Sequence, residues 1–202
     1  VNIVGSKRGD AIEVEIVDIA PDEYGYTVIA PGFGFLRDIF TEPYIVNWRL
    51  TRNGAVSSEM PGVTVPYEAF PGSIGVMPGN PEVDKILKRE AGLAGAGGAV
   101  LMPSGPGALP ADLCGEGGTA EDRCLRTIPP RENGGNMDVQ QQQIGTRMLF
   151  PCFIDGCGLF VGDVHYAQGD GEVSGTAIEM GSITTLRVVK IHEGKGSRMS
   201  MP

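Results

Sequence analysis

The sequence lacks clusters of basic residues, long apolar runs and a dense set of cysteines. Lys and Arg number 16 against 25 Asp and Glu, and the formal net charge is −9. Because nucleic acids and anionic membrane surfaces bind clustered positive charge, this balance argues against both kinds of partner. No apolar run approaches the ~20 residues of a membrane-spanning helix, and no signal-peptide pattern opens the chain. We therefore expect neither a nucleic-acid partner nor a membrane partner.

The cysteines are few and irregularly spaced. They are Cys114, Cys124, Cys152 and Cys157, without a Cys-x-x-Cys spacing and too sparse for a disulfide scaffold. We therefore expect reduced thiols in a cytoplasmic protein. Since neither Cys152 nor Cys157 stands at a visible helix start beside a histidine, both are expected in the core and not as nucleophiles.

Glycine and proline are abundant, at 31 and 15 residues, and separate apolar segments without forming repeats. This texture predicts a turn-rich, mainly β fold. Ile12, Val14 and Ile16 alternate with acidic residues, which is typical of a half-buried strand, and Trp48 is expected in the core. The succession of strands and glycine turns late in the chain favours a β-sandwich or jelly roll. The predicted strands are 11–19, 44–50, 146–154, 157–161, 172–180 and 183–191.

One helix is predicted, over residues 80–92. Asn80 suits the N-cap, Pro81 the first turn and Gly92 the stop. Residues 92–118 are small and show no periodicity, which is uncommon inside a compact domain. They are interpreted either as a mobile lid or interface arm, or as a disordered stretch. The predicted fold is thus a β-rich α+β fold, a jelly-roll-like β-sandwich with one short helix and long Gly/Pro-rich loops.

Two regions differ in their patterns. Residues 1–125 are a strand- and turn-rich region with the helix and the glycine-rich excursion, and residues 126–202 are a β-rich region with the polar motifs. The first residue is Val1 instead of Met, and the chain stops soon after a strand-like run. We therefore expect a piece of a longer polypeptide, or one product of processing.

Two glycine-rich motifs hold the residues that point to chemistry. Residues 132–138 read Glu-Asn-Gly-Gly-Asn-Met-Asp, and residues 162–172 read Gly-Asp-Val-His-Tyr-Ala-Gln-Gly-Asp-Gly-Glu. Glycine permits positive φ and the close approach of another chain or a ligand. Carboxylates, amides and an imidazole at such points are typical ligands for a metal ion and a small polar substrate. A surface loop does not need this combination.

His165 is central to this interpretation. Asp163 stands two residues earlier, so the two side chains share a face if the segment is a strand. Asp170 and Glu172 lie beyond a turn at 169–171 that can fold back toward them. Close carboxylates repel each other unless one is protonated or a cation intervenes. Either one of the pair is a general acid or base, or a metal holds both, or the turn is simply polar.

Other polar residues extend the candidate site. Asn136 and Asp138 are expected to add ligands or to bind a substrate amide, since Asn offers both a donor and an acceptor. Glu179 lies in an apolar run, where an unpaired carboxylate is costly, so it needs a partner such as a metal or Arg131. The second histidine, His192, has no such group of polar residues around it in the sequence and is expected at the surface.

Five segments resemble one known family. They are Gly-Phe-Gly-Phe-Leu-Arg-Asp at 32–38, the Pro-Gly blocks at 60–63 and 70–76, the stretch 126–138, and the specific string 162–172. Together they resemble the acetamidase/formamidase family, whose members are considerably longer. The resemblance implies a jelly-roll-like β fold, a homo-oligomer, and hydrolysis of short amides such as formamide or acetamide to a carboxylate and ammonia; some relatives act on lactams. It also implies a divalent metal, and zinc is preferred over calcium because a histidine is among the candidate ligands.

Roles for individual residues follow from the motifs and the resemblance. The predicted catalytic residues are Glu172 as the base, His165 and Asn136. The predicted substrate contacts are Gln168, Gly135, Phe33 and Tyr166. The predicted metal ligands are His165, Asp163, Asp170 and Asp138. For a small substrate the pocket is expected to be tight, with Phe33, Phe35 and Tyr166 as walls.

Two other functions remain open. One is a non-catalytic β-sandwich binding module whose acidic turns hold structural calcium, although His165 does not fit it because calcium prefers oxygen ligands. The other is a metal-dependent hydrolase or lyase that acts on a non-amide substrate. Ammonia release separates amide hydrolysis from both alternatives, and the identity of the bound metal tests the calcium module.

Overall fold

The framework of the protein is a β-sheet in which all paired strands are antiparallel. The computed structural model describes residues 1–100 and 102–196. The strands are β1 (Ala11–Ile29), β2 (Tyr44–Thr51), β3 (Gly54–Val56), β4 (Thr64–Val65), β5 (Phe70–Gly75), β6 (Gly134–Asn136), β7 (Arg147–Pro151), β8 (Phe160–His165) and β9 (Glu179–His192). The helices α1 (Asn80–Gly95) and α2 (Ala111–Cys114) lie between β5 and β6 in sequence. The order in the sheet is β4-β3-β2-β1-β9-β8-β5-β6, and β7 pairs with β1.

The long strand β1 organises this sheet. Its first residues pair with β7, its last residues pair with β2, and β9 runs along its other edge. The alternating residues Ile12, Val14 and Ile16 are fully buried, which confirms the strand predicted over 11–19. The strand continues to Ile29, beyond the predicted end.

The predicted fold class, mainly β with little helix, is confirmed. The described strands form one continuous hydrogen-bonded sheet, so the subdivision into a jelly-roll-like sandwich is not confirmed. Strands of the two regions seen in the sequence share this sheet. The later strands β9 and β8 lie between the earlier strands β1 and β5. In the described part of the chain, no helix is long and apolar enough to span a membrane.

Helix α1 begins where the sequence predicts, but its ends differ from the prediction. The N-cap is Gly79 instead of Asn80, and no side chain caps the first turn. The helix runs past Gly92, because the left-handed residue that follows its end is Gly97, at φ +81°.

Trp48 is 5% exposed, which confirms its place in the core.

All four cysteines are in disulfide bonds, so the prediction of reduced thiols is wrong. Helix α2 and the turn after it bring Cys114 and Cys124 to a Cα–Cα distance of 5.6 Å, although ten positions separate them. A tight turn between β7 and β8 brings Cys152 and Cys157 to 4.5 Å. Both members of the second pair are buried in the core, as predicted. Reduced thiols therefore no longer support the prediction of a cytoplasmic protein. Residues 92–118, expected to lack structure of their own, contain helix α2, and Cys114 joins them to Cys124.

The strand predicted over 172–180 is wrong for most of its length. Residues 172–178 form a loop with two turns, in which the N–H of Glu172 donates to Gly169 and the N–H of Gly175 donates to Glu172. Glu172 and Gly175 have φ values of +42° and +85°, which a strand does not allow. The loop carries Glu172 back toward the sheet.

A buried ion pair joins α1 to the segment before β6. Arg131 Nε lies 2.6 Å from Glu90 Oε1, and the two side chains are only 7% and 9% exposed. Arg131 Nη1 also donates to the carbonyl oxygens of Arg126 and Pro129, at 2.7 and 3.3 Å. Arg131, which the sequence offered as a partner for Glu179, is therefore engaged elsewhere.

Candidate active site

Gly72 of β5 is the point where three segments meet. It lies opposite Asp163 of β8, between two registered residue pairs. Its carbonyl oxygen accepts hydrogen bonds from the N–H groups of Met137 and Asp138, at 2.9 and 3.1 Å. A Cβ at this position would stand 2.8 Å from Asp138 Oδ1, the backbone oxygen of Asp163 and His165 Cε1. Only glycine leaves room for these groups.

His165 is held in a fixed orientation at the end of β8. The residue is 1% exposed, and its ring packs edge-on against Phe70. Its Nδ1 lies 2.8 Å from Gln168 Oε1, while Gln168 Nε2 donates to the backbone oxygen of Asp138 at 3.2 Å. Because the amide nitrogen donates to a carbonyl, the amide oxygen faces the imidazole, and Nδ1 must carry the proton. Gln168 thus orients the His165 ring so that its Nε2 faces the neighbouring acids.

Two anchored carboxylates face Nε2 of His165. Asp163 Oδ1 lies 3.5 Å away and Glu179 Oε2 lies 3.4 Å away. The other oxygen of each acid also has a partner. Asp163 Oδ2 lies 3.3 Å from Ser73 Oγ, whose one hydrogen it shares with Asn136 Oδ1, and Glu179 Oε1 accepts from the Ala177 N–H at 2.9 Å. Asp163, His165 and Glu179 form the anchored triad, whose ligand atoms lie within 4.8 Å of one another.

A second group shares the same imidazole. Asp138, His165 and Glu172 also place ligand atoms within 4.8 Å of one another. Among the described residues, Asp138 Oδ1 is buried and has no hydrogen-bond partner. A buried carboxylate oxygen without a partner is costly, so this atom is poised to accept a hydrogen bond from a ligand or to bind a cation.

Three acids of the two groups have a left-handed backbone. The φ values are +49° for Asp138, +54° for Asp163 and +42° for Glu172. Cys157 is the one other non-glycine residue with positive φ in the described chain. This conformation is uncommon for residues with a side chain, least so for Asp. Such strained positions concentrate at functional sites.

The electrostatics of the site are dominated by negative charge. Burial lowers the pKa of His165, but the hydrogen bond with Asp163 and the charge of Glu179 outweigh burial and raise this pKa to about 9. Burial and the charge of Asp138 raise the pKa of Glu172 to about 7. Burial also raises the pKa of Asp138 and of Glu179. The hydrogen bond with His165 lowers the pKa of Asp163. One imidazole does not neutralise four carboxylates.

A cleft of about 910 Å³ opens beside these residues. Phe33, Phe35 and Asn136 are among its walls. The Asn136 amide is tied on both sides, because Nδ2 donates to the Ile128 oxygen and Oδ1 accepts from Ser73 Oγ, both at 3.0 Å. The volume lies at the upper end of the range for small-molecule sites, about 300–1,000 Å³. The described residues thus form an open cleft in place of the expected tight pocket.

Most of the predicted site residues meet at this cleft. They are His165, Asp163, Asp138, Glu172, Asn136 and Phe33. Asp170 lies outside both metal-competent groups and accepts a hydrogen bond from Gln140. Gly135 pairs with β5. Tyr166 is fully buried, and its hydroxyl donates to the Thr51 oxygen at 2.7 Å. These three residues do not face the cleft.

Sequence reasoning missed two contributors and found a third only in part. Gly72 and Ser73 belong to the Pro-Gly-Ser block at 70–76, which was noted for its resemblance but was given no role. Glu179 was expected to need a partner, and the partner is His165. The signal for Glu179 was an acid in an apolar run.

The fold and the cluster define a class of protein: a β-sheet protein whose imidazole–carboxylate centre suits metal binding and acid–base hydrolysis. A model of the acetamidase/formamidase family matches residues 1–202. The chain belongs to this family.

Individual relatives agree with this assignment. The chain is 34% identical to the acetamidase of Mycolicibacterium smegmatis and 30% identical to the formamidase of Methylophilus methylotrophus, over 96% of its length in each case. These alignments cover 53% and 51% of the two relatives, so the chain spans about half the length of the curated relatives it matches.

Solved structures give the same picture. A γ-lactamase from Delftia acidovorans superposes with a TM-score of 0.86 at 31% identity, over 98% of this chain and 52% of that one. An acetamidase from Bacillus halodurans superposes with a TM-score of 0.67 at 25% identity, over 94% and 49%. The described sheet is therefore the fold of this family.

Proposed function

We propose that the protein hydrolyses the C–N bond of amides or lactams. With a primary amide, water adds to the carbonyl carbon, the C–N bond breaks, and the products are a carboxylate and ammonia. A lactam opens instead to an amino acid, which keeps the nitrogen. The observation that carries the proposal is the pairing of the buried His165 with four acids at an open cleft, in a chain of the acetamidase/formamidase family.

The site residues fit a divalent ion such as zinc. We assign its binding to the anchored triad, because Gln168 directs Nε2 of His165 toward Asp163 and Glu179. The surplus of carboxylates and the unpartnered Oδ1 of Asp138 also favour a cation. When bound, such an ion polarises an amide carbonyl and lowers the pKa of a water molecule.

The remaining side chains have roles of their own. Glu172 lines the cleft beside the triad, and we assign it as the base that takes a proton from water and returns it to the leaving nitrogen. Asn136 uses one amide hydrogen on Ile128 and keeps a second for the carbonyl oxygen of the substrate. Gln168, expected to bind substrate, is assigned to the orientation of His165.

The full-length protein is the material for the test. We expect it to release ammonia from formamide or acetamide, and to lose at least about 100-fold of kcat after chelation and dialysis, because the polarising cation is lost. Zinc should restore turnover. Ammonia is measured by a coupled assay, lactam opening by chromatography of the amino acid, and bound metal by elemental analysis.

Each part of the proposal can fail separately. Turnover that persists after metal removal is verified would overturn the metal assignment and leave Glu172 acting alone. A folded protein that neither releases ammonia nor opens a lactam would overturn the amide-hydrolase assignment. Tight calcium binding without turnover would support the binding module instead.

The base assignment gives a prediction for Glu172→Gln. The substitution keeps size and hydrogen bonding but removes the proton acceptor, so kcat for acetamide should fall by about 10²–10⁴-fold. The control is Glu193→Gln, which makes the same change at an exposed glutamate. Zinc content should stay the same in both variants. Equal kcat in Glu172→Gln and wild type would exclude Glu172 as the base.

A further inference from the structure

A second, smaller cavity adjoins the catalytic cleft. Its volume is about 380 Å³, and Ile29, Phe33, Leu36, Phe40 and Val173 supply its apolar walls. We call this cavity the apolar annex. It borders the cleft, because Phe33, Arg37, Glu172 and Thr176 line both spaces. The proposed base, Glu172, therefore lies at the border of the two spaces.

Four of the polar side chains around the annex have hydrogen-bond partners within the protein. Thr176 Oγ1 donates to the Val28 oxygen and accepts from the Val28 N–H, both at 3.0 Å. Ser174 Oγ donates to the Thr176 oxygen at 2.9 Å. Gln168 is hydrogen-bonded to His165, and Asp170 accepts a hydrogen bond from Gln140. A guest in the annex would find apolar walls, with the charged groups of Arg37 and Glu172 at the border with the cleft.

The loop that forms one wall is held in place by backbone contacts. The N–H of Phe35 donates to the Val173 oxygen at 2.9 Å. Turns close within the loop, where the N–H groups of Ile39 and Phe40 both donate to the Leu36 oxygen at 2.9 Å. The Phe33 ring lies over Gly175, where a Cβ would collide with it. The annex is thus a built part of the fold.

We infer that the annex binds an apolar acyl chain, and that the preferred substrates are primary amides larger than acetamide. This inference rests on the proposed function and names its substrate class. The amide group would lie at Glu172 and the anchored triad, and the chain would extend between Phe33, Leu36 and Phe40. Each buried methylene contributes about a fourfold gain in transition-state affinity. Hexanamide has four more methylenes than acetamide, so its kcat/KM should be about 250-fold higher when all four are buried.

The test compares chain lengths in the full-length protein and in two variants. Leu36→Trp fills the annex and should lower the hexanamide-to-acetamide ratio of kcat/KM by about 10-fold or more. Ile39→Trp is the matched control, because Ile39 is in the same loop, is 71% exposed and lines neither space. This control should keep the wild-type ratio.

The outcomes separate this inference from the function beneath it. Hydrolysis of acetamide with no gain for hexanamide, or an unchanged ratio in Leu36→Trp, would overturn the annex assignment alone. If no amide is hydrolysed, the proposed function fails, and calorimetric titration of hexanamide then tests the annex directly. Binding that Leu36→Trp abolishes and Ile39→Trp preserves would support the annex, and no binding to wild type would overturn it.

Discussion

Replacing His165 by alanine should lower kcat/KM for acetamide by about 10⁴-fold, the upper end of what one acid–base group contributes. The loss is expected to be this large because His165 belongs to both groups of acids. On the proposed metal assignment, bound zinc should also fall to a small fraction of the wild-type content. Both quantities are measured on the same purified full-length protein.

Two further variants make this result interpretable. His165 is buried, so alanine leaves a cavity that also affects stability. His165→Gln keeps most of the volume and should still lose the zinc and the activity. His192→Ala is the matched control, since this histidine pairs with Glu13 on β1 at 3.1 Å, away from the cleft. Activity retained in His165→Gln together with zinc would contradict the assignment of the imidazole.

Replacing Glu90 by glutamine should lower the free energy of unfolding by about 3–5 kcal/mol. The change leaves the buried guanidinium of Arg131 without a counter-ion, which is among the costliest single defects in a protein interior. The same guanidinium holds the carbonyl oxygens of Arg126 and Pro129. We therefore also expect a higher KM, because this segment leads to Ile128 at the cleft. Urea denaturation and substrate titration measure the two effects.

An exposed ion pair, formed by the sequence neighbours of Glu90 and Arg131, provides the comparison. Arg89 pairs with Glu132, and the two side chains are 42% and 36% exposed. Glu132→Gln makes the same chemical change but should cost no more than about 1 kcal/mol, because solvent screens an exposed pair. The double variant Glu90→Met/Arg131→Met should recover much of the stability lost in Glu90→Gln. Equal losses from Glu90→Gln and Glu132→Gln would show that burial does not set the strength of the first pair.

The sequence predicts those parts of the fold that local periodicity encodes. The alternation of Ile12, Val14 and Ile16 gave the start of β1, because side chains alternate between the faces of a strand. The strand predicted over 172–180 failed at 172–178, which read Glu-Val-Ser-Gly-Thr-Ala-Ile and form a loop. A pattern of side chains does not report φ, and Glu172 and Gly175 are left-handed. The disulfide partners depend on turns that no local signal specifies.

The site was predictable in its residues more than in its arrangement. Asp163 and His165 were placed together by their spacing, and they lie 3.5 Å apart. Asp170 has the spacing of a ligand, but the turn directs it to Gln140 instead. The pairing of Glu90 with Arg131 was missed because 41 positions separate them, and only the packing of α1 brings them together.

The left-handed acids have a consequence for protein engineering. Glycine at the positions of Asp138, Asp163 or Glu172 would relieve backbone strain of order 1–3 kcal/mol each. A screen that rewards heat resistance alone should therefore enrich glycine at these positions and, with it, inactive enzymes. Laboratory evolution of this protein needs a selection for turnover in every round, since these stabilising changes also remove carboxylates from the site.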